Sequence, residues 1–218
     1  MKILVLYNDT AGKSEAKETA EKFQAYVNEQ GDEHQVFLQA SNPDVDPEDV
    51  KEAAKKHAVD TIVIIGGDGT IHHGLQTFKE KLDELKIGII PGGTVNNFAR
   101  MLGIPVKPEE AFENILTGVE RPIDYGMVND QVMISTMTIG LLADTAAATS
   151  QEEKQQYGPL AFMKRFIHLL IKKKQYKLEV IADERKWQGK SQLLTFVMSN
   201  SAGGFKNFDE EAIPDDGL

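Results

Sequence analysis

In the stretch TIVIIGGDGT, residues 61–70, one carboxylate stands among glycines: Gly66, Gly67, Asp68 and Gly69, with the hydroxyl of Thr70 next. Glycine lets the backbone take positive φ angles and approach a ligand with no Cβ in the way. Backbone N–H groups in such a turn, with those opening the helix that follows, make a site for phosphate oxygens. A carboxylate among them is repelled by phosphate unless a metal lies between the two, so Asp68 points to a magnesium nucleotide rather than bare phosphate. The same residues also describe a tight strand-to-helix turn with Asp68 as the helix N-cap. Both readings stay open on the residues alone.

Two further stretches place polar groups at turns. Pro91-Gly92-Gly93-Thr94-Val95-Asn96-Asn97-Phe98-Ala99-Arg100 again leads through glycines into a helix. Thr94 and Asn96 there suit hydrogen bonds to a nucleotide or polar head group, and equally suit helix capping. Asn8-Asp9-Thr10-Ala11-Gly12-Lys13 resembles a second phosphate loop, although Gly12-Lys13 lacks the spacing of a P-loop and a plain strand-to-helix turn fits as well.

The elements that must position these stretches follow from hydrophobic pattern. Residues 61–65 are an uninterrupted apolar run bounded by glycines, which reads as a strand buried on both faces. Strands are also expected at 1–7, 34–39 and 86–90, and helices at about 14–28, at 47–57 and at 71–85, where Leu75, Phe78 and Leu82 fall at helical spacing. This alternation predicts a parallel, doubly wound sheet whose ligands bind at the carboxyl ends of the strands, where Asn8, Gly66 and Pro91 converge. A further helix at 108–116 ends at Gly118. From about Arg121 the chain turns β-rich: strands are expected at 121–126, 131–139, 177–182 and 193–199, with turns at Asn129-Asp130 and around Asp183-Glu184 before Trp187. The fold class is therefore α/β, with a nucleotide-binding doubly wound domain over 1–120 and a β-rich sandwich domain, incomplete, over 121–218.

Residues 158–174 read as a helix that mixes Leu160, Phe162, Phe166 and Ile167 with Lys164, Arg165 and Lys172-Lys173-Lys174. Such a segment lies on an anionic membrane surface, or packs on a core with its lysines solvated at the helix C-terminus. The second reading is the simpler one.

Composition narrows the classes. The 218 residues are 41% hydrophobic and 27% charged, as in an ordinary globular protein, with a formal charge of −10 that argues against non-specific nucleic-acid binding. Without cysteine there is no disulfide framework, thiolate metal site or thiol nucleophile. The opening MKILVLY is too short for a signal peptide, and no apolar run approaches the roughly 20 residues of a membrane span. A cytoplasmic protein is expected.

With both glycine stretches in hand, the chain resembles the diacylglycerol kinase catalytic family, in its bacterial soluble lipid kinase branch, related to sphingosine kinases and NAD kinases. GGDGT is shared with NAD kinases; followed at this distance by a PGGTxNxFAR segment it marks the lipid kinase branch. Asp124-Tyr125-Gly126-Met127-Val128-Asn129, Gly158-Pro159-Leu160-Ala161 and the ending Pro214-Asp215-Asp216-Gly217-Leu218 add to the likeness. The resemblance implies ATP held by Asn8, Asp9, Thr10, Ala11 and Gly12, by Gly66, Gly67, Asp68, Gly69 and Thr70, and by Thr94 and Asn96. It implies magnesium organised by Asp68 through water, with Asp124 in the same network, and a separate structural magnesium at Asp216 and the Leu218 carbonyl. The implied reaction is transfer of the γ-phosphoryl group of ATP to a lipid hydroxyl at a membrane surface, peripheral to the inner membrane, with a homodimer as one compatible assembly.

Three departures from the family pattern stand out. His72-His73 occupies the place of Asn-Glu, and Asn96-Asn97 that of Asn-Asp, which removes two carboxylates near the supposed metal. Adjacent histidines on a helix point about 100° apart and make a poor joint metal site. The family chain also runs on beyond this length, and the resemblance puts its general-base glutamate there, so no residue here is named as the base. Two other functions therefore stay open: a non-catalytic nucleotide-binding or regulatory protein on a kinase fold, and a NAD kinase-like enzyme.

Overall fold

Branched apolar residues build the centre of the sheet. In the computed structural model, which describes residues 1–9, 15–31, 33–140, 175–182, 185–198, 201–202 and 205–206, strand and helix alternate along the first half. The order is β1 (Lys2–Tyr7), α1 (Glu15–Glu29), β2 (Gln35–Ala40), α2 (Pro47–His57), β3 (Thr61–Gly66), α3 (Asp68–Thr77), β4 (Lys86–Pro91), α4 (Asn97–Met101) and α5 (Pro108–Thr117). The strands pair in parallel in the order β2-β1-β3-β4, with Leu4 opposite both Phe37 and Ile62. This is the expected doubly wound sheet. Its strand order reverses between β1 and β3, the switch point at which such sheets open a crevice for ligands.

Strand side chains alternate between the faces, and each face has its own helices. Ile3, Val5, Val63, Ile65 and Ile90 share a core with Phe23 and Val27 of α1 and Phe112 of α5, whose rings meet edge to face at 5.3 Å between Phe23 and Phe112. Leu4, Leu6, Ile62 and Ile64 share the other with Val50 of α2 and Ile71 and Leu75 of α3. At Gly74 a methyl group would stand 2.8 Å from Ile64 Cδ1, so α3 rides close on β3 and carries its N-terminus up to the strand end.

The expected helix over 71–85 is corrected in both directions. Its first turn begins earlier, at Asp68, because the Gly67 carbonyl already accepts from Thr70 and Ile71. It ends at Thr77, where the Phe78 N–H closes on the Leu75 carbonyl at 3.1 Å and the Lys81 N–H on the Phe78 carbonyl at 2.8 Å. Phe78 and Leu82 still reach the same core, Leu82 from a separate 3-10 turn over Leu82–Glu84. The expected strand over 121–126 pairs only from Gly126, since Pro122 brings no N–H for a ladder.

After α5 come β5 (Gly126–Val128), β6 (Gln131–Met133) and β7 (Thr136–Gly140), so the single strand expected over 131–139 is two strands with different partners. β5 and β6 form a hairpin through Asn129 and Asp130, both at positive φ (47° and 68°), the pairing that a tight two-residue hairpin turn demands. Contacts divide the chain into two units, Met1–Ser135 with the described residues from Met198 on, and the described part of Thr136–Val197. In the second unit β7 pairs antiparallel with β10 (Leu193–Val197), and β8 (Tyr176–Ala182) with β9 (Arg185–Ser191). Strand β9, RKWQGKS, is absent from the sequence-based expectations: it runs polar through most of its length, with Trp187 its one large apolar residue, and shows no alternation to read. In the first unit β11 (Ser201–Ala202) pairs with β12 (Phe205–Lys206). The expected helix over 158–174 and the turn at Asp183-Glu184 lie outside the described residues. No helix among the described residues is long and apolar enough to cross a membrane.

At the amino end of the sheet, Asp60 ties three strands. Its carboxylate accepts the Lys2 N–H at 3.1 Å and the Thr61 hydroxyl at 2.6 Å, and its carbonyl accepts the Lys86 N–H at 3.0 Å. Burial alone would push the Asp60 pKa up, but those hydrogen bonds, the charged N-terminus and Lys86 outweigh it and hold the group below its ordinary 3.8. A carboxylate that is more acidic folded than unfolded stabilises the fold above its unfolded pKa and loses that contribution as pH falls through its folded one. Asp60→Asn is expected to lower the urea midpoint near neutral pH and to flatten the fall in stability below about pH 4. Urea titrations across that range read both, and an acid slope equal to that of the wild type would show that Asp60 has no part in it.

Candidate functional site

The parallel sheet brings the polar turns to one edge. Asn8 and Asp9 follow β1, Ser41 and Asn42 follow β2, Gly66 to Thr70 close β3, and Pro91 to Asn97 close β4. Thr10, Ala11 and Gly12, the rest of the loop after β1, lie outside the described residues, as do Asp216 and Leu218.

The two glycine loops press on each other backbone to backbone. The Gly92 N–H donates to the Gly66 carbonyl at 2.9 Å. A methyl group at Gly93 would sit 2.6 Å from Gly67 Cα, one at Gly67 would sit 3.1 Å from Gly93 Cα, and one at Gly92 would sit 3.3 Å from Gly66 Cα. Gly66, at φ +157°, has the Thr70 side chain beneath it, 2.6 Å from where its own Cβ would stand. Most of these glycines therefore serve the contact between loops. Gly69 differs: a Cβ there would meet nothing within 4 Å.

Asp68 is not the N-cap of its own helix; Gly67 holds that position and brings no side chain to it. The carboxylate of Asp68 reaches across instead. Its Oδ2 accepts the Asn97 N–H at 3.0 Å and its Oδ1 accepts the Phe98 N–H at 2.9 Å, the first two amides of α4. Asn96 is the N-cap residue of α4, but it sits in the left-handed region (φ 54°, ψ 50°) and its side chain makes no capping bond. Its amide spans its own loop, Oδ1 accepting from Gly93 N–H and Nδ2 donating to Gly93 C=O, each at 2.8 Å. Asn96 is 6% exposed, so that amide faces protein rather than solvent.

What remains for a ligand is a short set of donors. A helix leaves its first N–H groups without intrahelical partners; in α3 these are Asp68 and Gly69, because Thr70 and Ile71 bond to Gly67. In the second loop the exposed Thr94 hydroxyl has no partner among the described residues. At the far side of the switch point Asn42 Nδ2 donates to Asp9 Oδ1 at 2.6 Å, and the Ser41 hydroxyl, 2% exposed, has no hydrogen-bond partner among the described residues. Ser41 escaped the sequence reading because a serine after a strand is an ordinary loop residue; only its burial marks it.

The histidines diverge. His72 Nε2 donates to the Val132 carbonyl at 2.9 Å, and one turn on, Gln76 donates to the Asp130 carbonyl and accepts from Val132 N–H at 2.7 Å. Lys79 adds an ion pair to Asp130 at 2.6 Å. This face of α3 clasps the β5–β6 hairpin. Asp124 is half-buried just before β5. Among the described residues no three acidic or histidine groups gather as a metal site.

These features define a mixed α/β protein whose polar turns gather at the switch point of a parallel sheet. The profile of the diacylglycerol kinase catalytic domain matches residues 2–128, more than half of the chain, and the chain belongs to that family. It is 33% identical over 174 residues to a diacylglycerol kinase of Bacillus subtilis (strain 168), covering 78% of this chain and 57% of that protein. It is 28% identical over 213 residues to a diacylglycerol kinase of Staphylococcus saprophyticus, covering 98% of this chain and 69% of that one. The chain thus spans little more than half the length of the first relative and about two thirds of the second. A crystal structure of a diacylglycerol kinase from Bacillus anthracis str. Sterne shares the fold with a TM-score of 0.70 at 24% identity, covering 99% of this chain and 70% of that one.

The two kinds of glycine separate in a stability measurement. Gly93→Ala forces a methyl into the Gly67 backbone and is expected to cost about 1–3 kcal/mol, as overpacking does. Gly69→Ala, in the first turn of a helix with open space beside it, is expected to leave stability unchanged or to raise it by up to about 1 kcal/mol. Chemical denaturation of both variants checks this, and equal midpoints would mean the loops do not touch as described.

Proposed function

We propose that this chain carries the ATP-binding part, and a portion of the lipid-binding part, of an ATP-dependent lipid kinase that phosphorylates diacylglycerol or a related lipid hydroxyl. Residues 1–120 would form the nucleotide domain and 121–218 part of the substrate domain. The observation that supports this most is the pair of Asp68 and Gly69 amides at the switch point, which have no partner within their own helix, in a member of the diacylglycerol kinase catalytic family. Phosphate oxygens accept from such amides, and a Cβ-free Gly69 lets them come close. The buried Ser41 hydroxyl and the Asn8–Gly12 loop are then candidates for the nucleoside end.

In the proposed reaction a lipid hydroxyl oxygen forms a bond to the γ-phosphorus while the bridging bond to the β-phosphate breaks. The electron pair leaves on ADP, and the hydroxyl proton passes to a carboxylate base that is none of the residues named here. Loop amides contribute by holding the phosphates in line. Magnesium is part of this proposal as the partner of the ATP phosphates, since magnesium is commonly held by one or two carboxylates, water and phosphate. Each oxygen of Asp68 accepts one amide and keeps a further acceptor site, so Asp68 stays a candidate for organising magnesium through water. Asp124 stays a candidate for contact through water, and Asp216 and Leu218 for a separate site.

A second reading, nucleotide binding without phosphoryl transfer, draws on the two positions that bring no carboxylate, His73 and Asn97. Transfer of labelled γ-phosphate from ATP separates the possibilities. The chain, and the chain joined to the remaining segment of the Bacillus subtilis relative, are offered diacylglycerol in mixed micelles or NAD. Lipid labelling by the longer protein is the expected result; labelling of NAD alone would mean a NAD kinase-like enzyme, and ATP binding without transfer to either would mean a retired kinase. In calorimetry Gly69→Ala is expected to weaken ATP about tenfold, because its methyl holds a phosphate oxygen off an amide that remains in place, at about the worth of one good hydrogen bond. Unchanged affinity would move the phosphates away from this turn.

A further inference from the structure

Asp68 sits in the proposed phosphate loop yet spends both oxygens on another loop, where Asn97 and Phe98 donate to it at 3.0 and 2.9 Å. The helix it reaches has no capping side chain of its own, because Asn96 turns its amide back onto Gly93. The two loops meet there with no side chain between them: a methyl at Gly93 would stand 2.6 Å from Gly67 Cα. From these three observations we infer that Asp68 is a positioning residue, whose carboxylate fastens the start of α4 to the first turn of α3 and so sets the spacing between the Asp68–Gly69 amides and Thr94.

The chemistry requires a carboxylate. Two amide N–H groups, from adjacent residues, need two acceptor atoms side by side, which Asp supplies from one rigid short side chain. Asn in its place would keep one acceptor and turn an N–H donor against the other amide. Alanine would leave both amides open. Charge-assisted bonds to backbone amides are the stronger kind, so the fastening is expected to hold while the ligand-facing amides of the same turn stay unoccupied. The use of the fastened spacing rests on the ATP reading; the fastening itself does not.

The test uses the intact chain. Amide hydrogen exchange at Asn97 and Phe98 in the wild type is expected to be slow, and about tenfold or more faster in Asp68→Asn, in line with a charged hydrogen bond lost. ATP affinity is then measured by calorimetry with magnesium and with a chelator, at a temperature where both proteins are folded. A positioning role predicts that Asp68→Asn weakens ATP by the same factor in both conditions. A loss confined to the magnesium arm would overturn it in favour of a metal ligand, and amides that exchange rapidly in the wild type would overturn it without any variant. If the wild type bound no ATP, the nucleotide reading would fail while the exchange at Asn97 and Phe98 still decided the fastening.

Discussion

The contact on which the site depends is the meeting of two backbones at the carboxyl ends of β3 and β4. Parallel pairing carries Gly66 and Pro91 to the same height, and the next residues of both strands would collide if either bore a Cβ. Glycine on both sides removes the collision, and the Gly92 amide bonds to the Gly66 carbonyl across the gap. Asp68 then closes the arrangement from one side. The sheet beneath is what makes this possible, because strands buried on both faces leave the loops no freedom to drift apart.

Much of this was legible in the sequence. The apolar run before Gly66 can only be an inner strand, and its spacing from the run before Pro91 leaves room for a single crossover helix, so the parallel order and the convergence of loops follow. The Asn129-Asp130 turn was equally readable, since residues that tolerate positive φ between two short strands have few other uses. Strand β9 was not readable: its ladder to β8 is written in backbone bonds that any sequence makes, and its side chains carry no period.

The site was legible as a place and less so as a set of roles. Glycine in a phosphate loop and glycine at a backbone crossing look alike in sequence, and only the position of Gly93 against Gly67 separates them. Asn96 suited a ligand or a cap; it holds the N-cap position of α4, yet its side chain caps nothing there and bonds back to Gly93 across its own turn. Asp68 suited a metal or its own helix, and it serves a helix some thirty residues on, a partner that depends on tertiary register. Ser41 shows the converse, a commonplace residue made notable by burial without a partner.

The residues at 73 and 97, neither of them a carboxylate, take on meaning from this arrangement. Asp68 uses the N–H of residue 97, which every residue but proline supplies, so asparagine there leaves the fastening intact while withdrawing a charge. A carboxylate about 6 Å from a phosphate charge costs on the order of 3 kcal/mol at an effective dielectric constant near 20. With histidine and asparagine at these two positions, and with the carboxylate of Asp68 bonded to two amides, the loop would, under the proposed ATP reading, oppose a polyphosphate less than one with carboxylates there. Under the proposed ATP reading, the two residues that would loosen a metal shell would also lower the repulsion that a metal offsets.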